Sequence, residues 1–323
     1  MNQSAENPVK PIIGKRATIA LTTGIFLFSF VFFLYLTFPY VVLKESVGSQ
    51  VSQMTGYSIY IGDLGPALPV GLAAKDVSIL APGASSPLKI AEAEVKIGIF
   101  SLLIGKLSPS LLLTSKDKGE FEVDLDFGLI RLVKGEFVPS KFSLTSQNYP
   151  IDDSVAFALS AWASSPNTNQ LLGPLLTTIG ISGRLNAQVN MKLNTTEPAQ
   201  STGNVDVRID QAMLKLADPA LGLADQRFSK ATVKASLSGG NFLLDESSGF
   251  VTEELQVNLR GNVSLSRNLQ QSQMKMDIGL KLDKEMKESF GWLVDAAAGG
   301  SPRNGEVTIQ MTGPVSRPDV KPL

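Results

Sequence analysis

Residues 119–127 read GEFEVDLDF, and Glu120, Glu122, Asp124 and Asp126 alternate strictly with Phe121, Val123, Leu125 and Phe127. A period of two sends successive side chains to opposite sides of an extended chain, so the stretch predicts a strand with one apolar and one ionised face. Acids two apart on a strand stand roughly 6.6–6.8 Å from each other. That separation would suit an inverting glycosidase, and several such oxygens could also collect a hard cation. A solvated face is the simpler reading, because it accounts for the acids and the intervening apolar residues together.

The same device recurs. Gly183 opens RLNAQVNMKLN, Gly203 opens NVDVRID, Gly261 opens NVSLS and Gly305 opens EVTIQMT. There the polar partners are mostly neutral, so only the sign of charge sets 119–127 apart. A leading glycine suits a turn or bulge with positive φ. YSIYIGDL (57–64), AKDVSIL (74–80), LKIAEAEVKIGIF (88–100) and SKATVKASL (229–237) alternate likewise, for about twelve strands in all. The expected fold is mainly β with a few helices, its strands mostly antiparallel because one side of each is wet.

Few stretches read as helix. Residues 46–55 place Val47, Val51 and Met54 at helical spacing. Residues 153–164 follow, with Asp152 or Asp153 as the cap, and then 168–178 and 284–297. The middle pair divides the chain beyond residue 44 into a β region over 45–150, a helical connection over 151–180 and a second β region over 181–323.

The apolar sides of these strands need cover. Phe121, Val123, Leu125 and Phe127 form one such set; Leu185, Ala187, Val189, Met191 and Leu193 form another; Val205, Val207 and Ile209 form a third. They could close on one another as a core, or line a gutter open to acyl chains. Alternation reads the same in both cases.

The chain contains neither His nor Cys. His-based triads and thiolate chemistry are therefore excluded. Ser86 to Lys89 and Ser115 to Lys118 match S-x-x-K, but a proline or a charged turn replaces the helix that Ser–Lys enzymes need. Nucleotide-binding glycine motifs are missing as well. These features predict a protein that is not an enzyme and has no metal or cofactor. A net charge of −1 gives no field for nucleic acid.

Only 18% of residues are charged and 43% are hydrophobic, against about 25% charged in an ordinary domain. Part of that excess lies in 17–43, a run of 27 uncharged residues from Ala17 to Leu43 that includes Leu21, Phe26, Phe30, Phe33, Tyr35 and Tyr40. As a helix it would be roughly 40 Å long, enough to cross a hydrocarbon core of about 30 Å. Tyr35 and Tyr40 would lie near the interface. Lys10, Lys15 and Arg16 precede the run, whereas Lys44 is offset by Glu45. The basic side stays in the cytoplasm, which predicts residues 1–16 on the cytoplasmic side and residues 45–323 across the membrane. The first 44 residues hold four Lys/Arg and one Glu, leaving 25 basic and 29 acidic residues beyond them.

Residues 50–106 run through QVSQMTGYSIYIGDL, LPVGLAAKDVSIL and LKIAEAEVKIGIFSLLIGK. This order resembles the opening of AsmA-like proteins of Gram-negative envelopes. Thr55-Gly56, Ile59 and Ile61, Leu72 through Asp76-Val77, and Leu102-Leu103-Ile104-Gly105-Lys106 carry the likeness. The end, VTIQMTGPVSRPDVKP, resembles the closing strand of the same group at Gly313 and Pro318. With this length the chain looks like the type II secretion system protein N family, in the form found in delta-proteobacteria and spirochaetes. The resemblance implies an inner-membrane anchor and a curved AsmA-like sheet forming a half-open barrel or gutter. It also implies an accessory role in exporting folded proteins, with other type II secretion subunits as partners. The wider superfamily implies phospholipid transport along an apolar groove, and supplies no catalytic residues.

Overall fold

In the computed structural model, residues 15–322 are described except 83, 85, 86, 164–178, 195, 217–224, 285, 286 and 288–305. The predicted helices at 168–178 and 284–297 lie almost wholly outside the described residues. The protein is mainly β, built on one large antiparallel sheet.

Its strands are β1 (Ser58–Pro66), β2 (Gly71–Leu80), β3 (Leu88–Ile97), β4 (Lys106–Leu107), β5 (Pro109–Thr114), β6 (Glu120–Gly128) and β7 (Lys141–Pro150). Then come β8 (Ile179–Lys192), β9 (Thr202–Leu216), β10 (Gln226–Arg227), β11 (Lys230–Ser238), β12 (Asn241–Leu244) and β13 (Gly249–Val251). The last are β14 (Leu255–Ser264), β15 (Gln273–Leu282), β16 (Glu306–Pro314) and β17 (Asp319–Pro322). The pairs β4/β5, β10/β11 and β12/β13 each share a row, so the seventeen described strands make fourteen rows.

Each row pairs with its neighbour in sequence, from β1 against β2 to β16 against β17. The two predicted β regions are continuous in this sheet, since β7 pairs with β8 across the helical connection. Among the described residues no pairing joins β1 to β17. The outermost strand, β17, is four residues long, ends in Pro322 and carries Lys321, features that blunt an edge.

Register is fixed by the alternation, because a one-residue slip would turn every apolar side chain to the opposite face. Three non-glycine residues with positive φ interrupt it: Asp76 in β2, Asn148 in β7 and Gln211 in β9. The ladder shifts beside the last two, between Ser146 and Tyr149 and between Ser182 and Arg184. At Gly119 a Cβ would come within 2.4 Å of the Asn148 carbonyl oxygen, so close backbone approach, not positive φ, requires glycine there. Gly183 has the expected positive φ, at 150°.

The uncharged run is not one helix. Helix α1 spans Lys15–Thr37 and α2 spans Tyr40–Thr55, with the break at Phe38-Pro39. Proline supplies no N–H to a preceding turn and disfavours helical geometry in the residue before it. Among the described residues no helix is long and apolar enough to cross a membrane.

Helix α2 lies along β1, and Lys44 Nζ donates to the Gly62 carbonyl at 3.1 Å. The strand expected over 88–100 ends at Ile97; Gly98 then leads into helix α3, Ile99–Leu103. Helix α4 covers Leu129–Val133. Helix α5 covers Asp152–Ala163, close to the range expected, with Asp152 and Asp153 in its first turn. It packs on β8 and β3, and Phe157 meets Tyr57 at 6.0 Å between ring centroids.

Candidate functional site

Strand pairing gathers eleven of the twelve apolar residues singled out in the sequence onto one face, with Leu193 just past the end of β8. Val123 of β6 stands opposite Leu111 and Leu144; Leu144 faces Val189, and Val189 faces Val205. Leu125 pairs with Phe142 and Phe142 with Met191. Phe121 pairs with Ser146, and its ring lies 5.7 Å from that of Tyr149. Beyond the irregularity at Asn148, Tyr149 pairs with Leu185 and Leu185 with Ile209. Val207 stands between Ala187 and Val233. Phe127 is opposite Leu107 at the end of the row.

The face continues both ways. Val95 lies opposite Leu111. On the other side Leu237 pairs with Phe242, Phe242 with Val263, and Val263 with Met274. Farther on, Ile278 pairs with Ile309, and Met276 with Met311. From β3 to β16 this is eleven rows, about 50 Å at the usual strand spacing of ~4.8 Å. Strand β15 was missed in the sequence. Its signal was Met274, Met276, Ile278, Leu280 and Leu282, spaced by two.

The burial is uneven. Fully buried members are mostly small, such as Ala187, Ala231 and Ala235, with Val189, Leu237 and Val307. No Phe or Met among the described residues is fully buried. Val95 is 44% exposed on this face.

The four acids occupy the reverse face. Glu120 is opposite Gln147, Glu122 opposite Thr145, Asp124 opposite Ser143 and Asp126 opposite Lys141. Ser108 Oγ donates to Asp126 Oδ1 at 2.6 Å. Of the four, only Asp126 has a basic residue directly opposite in β7. Polar pairs extend over the rest of this side, for example Lys234 Nζ with Asp206 Oδ2 at 3.1 Å. Among the described residues no cluster of acids could hold a metal ion. Ser115 and Lys118 sit in the β5–β6 turn, where Ser115 Oγ accepts the Gly119 N–H at 2.9 Å.

A cavity of about 520 Å³ opens at the irregular line of the sheet, lined by Lys89, Lys116, Asp117, Asp152, Asp153 and Arg184 among others. The Arg184 guanidinium contacts Asp117 Oδ2 at 3.0 Å and donates to the Asn148 carbonyl at 3.3 Å. Its charges are mixed, and Tyr149 of the apolar face also lines it. Residues distant in sequence build it, and nothing in their spacing announces it.

Of the anchor residues, Ala17 and Leu21 lie in α1. Phe26, Phe30 and Phe33 are exposed, and Phe26 stacks on Phe30 at 6.4 Å. Leu43 lies in α2. Tyr40 is buried, edge-on to Tyr35 and Phe38. Tyr35 donates its hydroxyl to the Ala67 carbonyl at 2.8 Å. Comparison with known proteins finds no matching family model, no matching curated protein and no matching solved structure.

Proposed function

We propose that this chain is a non-enzymatic, membrane-tethered protein of the bacterial envelope that carries phospholipid acyl chains on the apolar face of its sheet. The supporting observation is that face itself. It runs through eleven rows, yet among the described residues none of its Phe or Met side chains is fully buried. Burying a Phe or Met side chain is worth about 1.5–3 kcal/mol, so their partial exposure leaves much of that stabilisation unused. A curved sheet open along one side, filled by acyl chains, would recover it. No chemical step is assigned to the acids, which belong to the solvated reverse face.

In this reading α1 is the tether. Its described aromatic residues at 26, 30 and 33 face outward, and Lys15 and Arg16 stand at its start. The N-terminus would be cytoplasmic and the sheet periplasmic.

Photo-crosslinking residues at Leu125, Phe142 and Thr145 in the full chain, in cells, would test this. Adducts of phospholipid mass are expected at 125 and 142 and not at 145. Their absence at 125 and 142, with the chain folded and expressed, would refute lipid carriage.

A role in type II secretion is the second reading. It rests on the terminal motifs, which fall on β1–β3, α3 and the β16–β17 hairpin. Cross-linking that recovers secretion subunits, and loss of exoprotein export on deletion, are its expected outcomes.

A further inference from the structure

The end of the sheet that meets α1 carries a second apolar surface, separate from the strand face. Tyr35 ties α1 to the tip of the β1–β2 hairpin through Ala67 and Gly71. Main-chain hydrogen bonds lead outward from that tip. Ile97 N–H donates to Val70 at 2.9 Å, Gly98 to Ser108 at 3.0 Å, and Leu129 to Gly105 at 3.0 Å. The row thus sets α3 and α4 side by side at one end of the strands.

Their apolar residues point into solvent. Phe100 is 85% exposed, Leu103 79%, Ile104 71%, Ile130 75%, Val133 89% and Phe137 74%. Together they present on the order of 800 Å² of apolar surface, more than the roughly 300–600 Å² of the largest patch on a typical monomer. The two segments that carry them, 99–106 and 128–137, hold Lys106, Arg131 and Lys134 against the single acid Glu136. The chain beyond the tether is otherwise rich in acid, so this local excess of cations is distinctive.

Large apolar side chains beside lysine and arginine match a bilayer with anionic headgroups. The apolar tips enter the acyl boundary, and the long basic stems reach back to phosphate. A protein partner is the poorer fit, since protein interfaces are depleted in lysine.

We propose that α3 and α4 form a foot that inserts into the bilayer holding α1, in the leaflet on the sheet's side, so that the sheet is held at two points. The inference takes its tether from the reading above and is independent of lipid carriage on the strand face.

The chain has no cysteine, so a single introduced thiol carries a spin label at one known place. Phe33→Cys, Phe100→Cys, Val133→Cys and Glu246→Cys would be labelled in the full chain, reconstituted in phosphatidylcholine vesicles containing phosphatidylglycerol. Glu246 is exposed between β12 and β13, midway along their row of the sheet and away from α3 and α4. Labels at 33, 100 and 133 are expected to relax more with oxygen than with a water-soluble nickel complex, and the label at 246 the reverse. In vesicles of phosphatidylcholine alone, labels at 100 and 133 should sit shallower; unchanged depth would overturn the need for anionic lipid. A label at 33 in lipid with those at 100 and 133 in water would overturn the foot and leave the tether standing. A label at 33 in water would instead overturn the tether. Labels at 100 shielded from both relaxants, with dipolar coupling between chains, would assign the surface to a second copy and refute the proposal. Leu103→Cys and Ile130→Cys repeat the measurement should either first variant fail to fold.

Discussion

Gly71 donates its backbone N–H to the phenolic oxygen of Tyr35 at 2.9 Å, across 36 positions of sequence. The bond joins the last turn of α1 to the first residue of β2. Tyr35→Phe keeps the ring and removes the acceptor. The expected cost is about 0.5–1.5 kcal/mol for this bond and as much again for the one Tyr35 donates to Ala67. Amide exchange at Gly71 should accelerate while exchange in β6–β9 stays unchanged.

Gly119→Ala should destabilise the sheet. The added methyl would lie 2.4 Å from the Asn148 carbonyl oxygen and 2.7 Å from Tyr149 Cα, both backbone atoms. Forced overpacking of this kind costs about 1–3 kcal/mol. Gly65→Ala, where nothing lies within 4 Å of the new methyl, is the control. The denaturant midpoint should fall for the first variant and hold for the second.

Glu122→Gln combined with Asp124→Asn should change little. Both residues face neutral partners, Thr145 and Ser143, on the solvated side. Surface changes of this kind stay within about 0.5 kcal/mol. Lipid adducts at residues 125 and 142 should form at the wild-type level. Their loss in a folded variant would return the acids to consideration as functional groups.

Tyr149 gives the protein an alkaline sensitivity. Burial, and to a smaller degree the charge of Asp153, raise its hydroxyl above the ordinary tyrosine value. A raised value favours the protonated form in the folded state. The resulting stability is complete below about pH 10, the unfolded value, and is lost as pH rises through the folded one. Tyr149→Phe removes that part of the decline, so its alkaline unfolding curve should be flatter than the wild type's.

The strand faces were legible because alternation depends only on neighbours in the chain. Phe121, Val123, Leu125 and Phe127 could be placed together before any pairing was known, and the pairing brought Leu185 through Ile209 to the same side. Union of the two β regions was not legible, since it depends on β7 meeting β8 across the connecting segment. The break at Phe38-Pro39 had its signal in the proline. The exposed turn at Ile99–Leu103 was hidden because Val95, Ile97 and Ile99 carry the period of two in β3 past Gly98. The mixed-charge cavity had no local signature, as Lys89, Asp117 and Arg184 meet only through the sheet.

Nearest-neighbour threading makes the sheet's size adjustable. A hairpin could be spliced in or cut out at any turn without rerouting the remaining chain, changing the span by about 10 Å each time. The length of such a sheet is therefore open to change by simple duplication, and a ribbon as short as Asp319–Pro322 leaves little edge for further pairing.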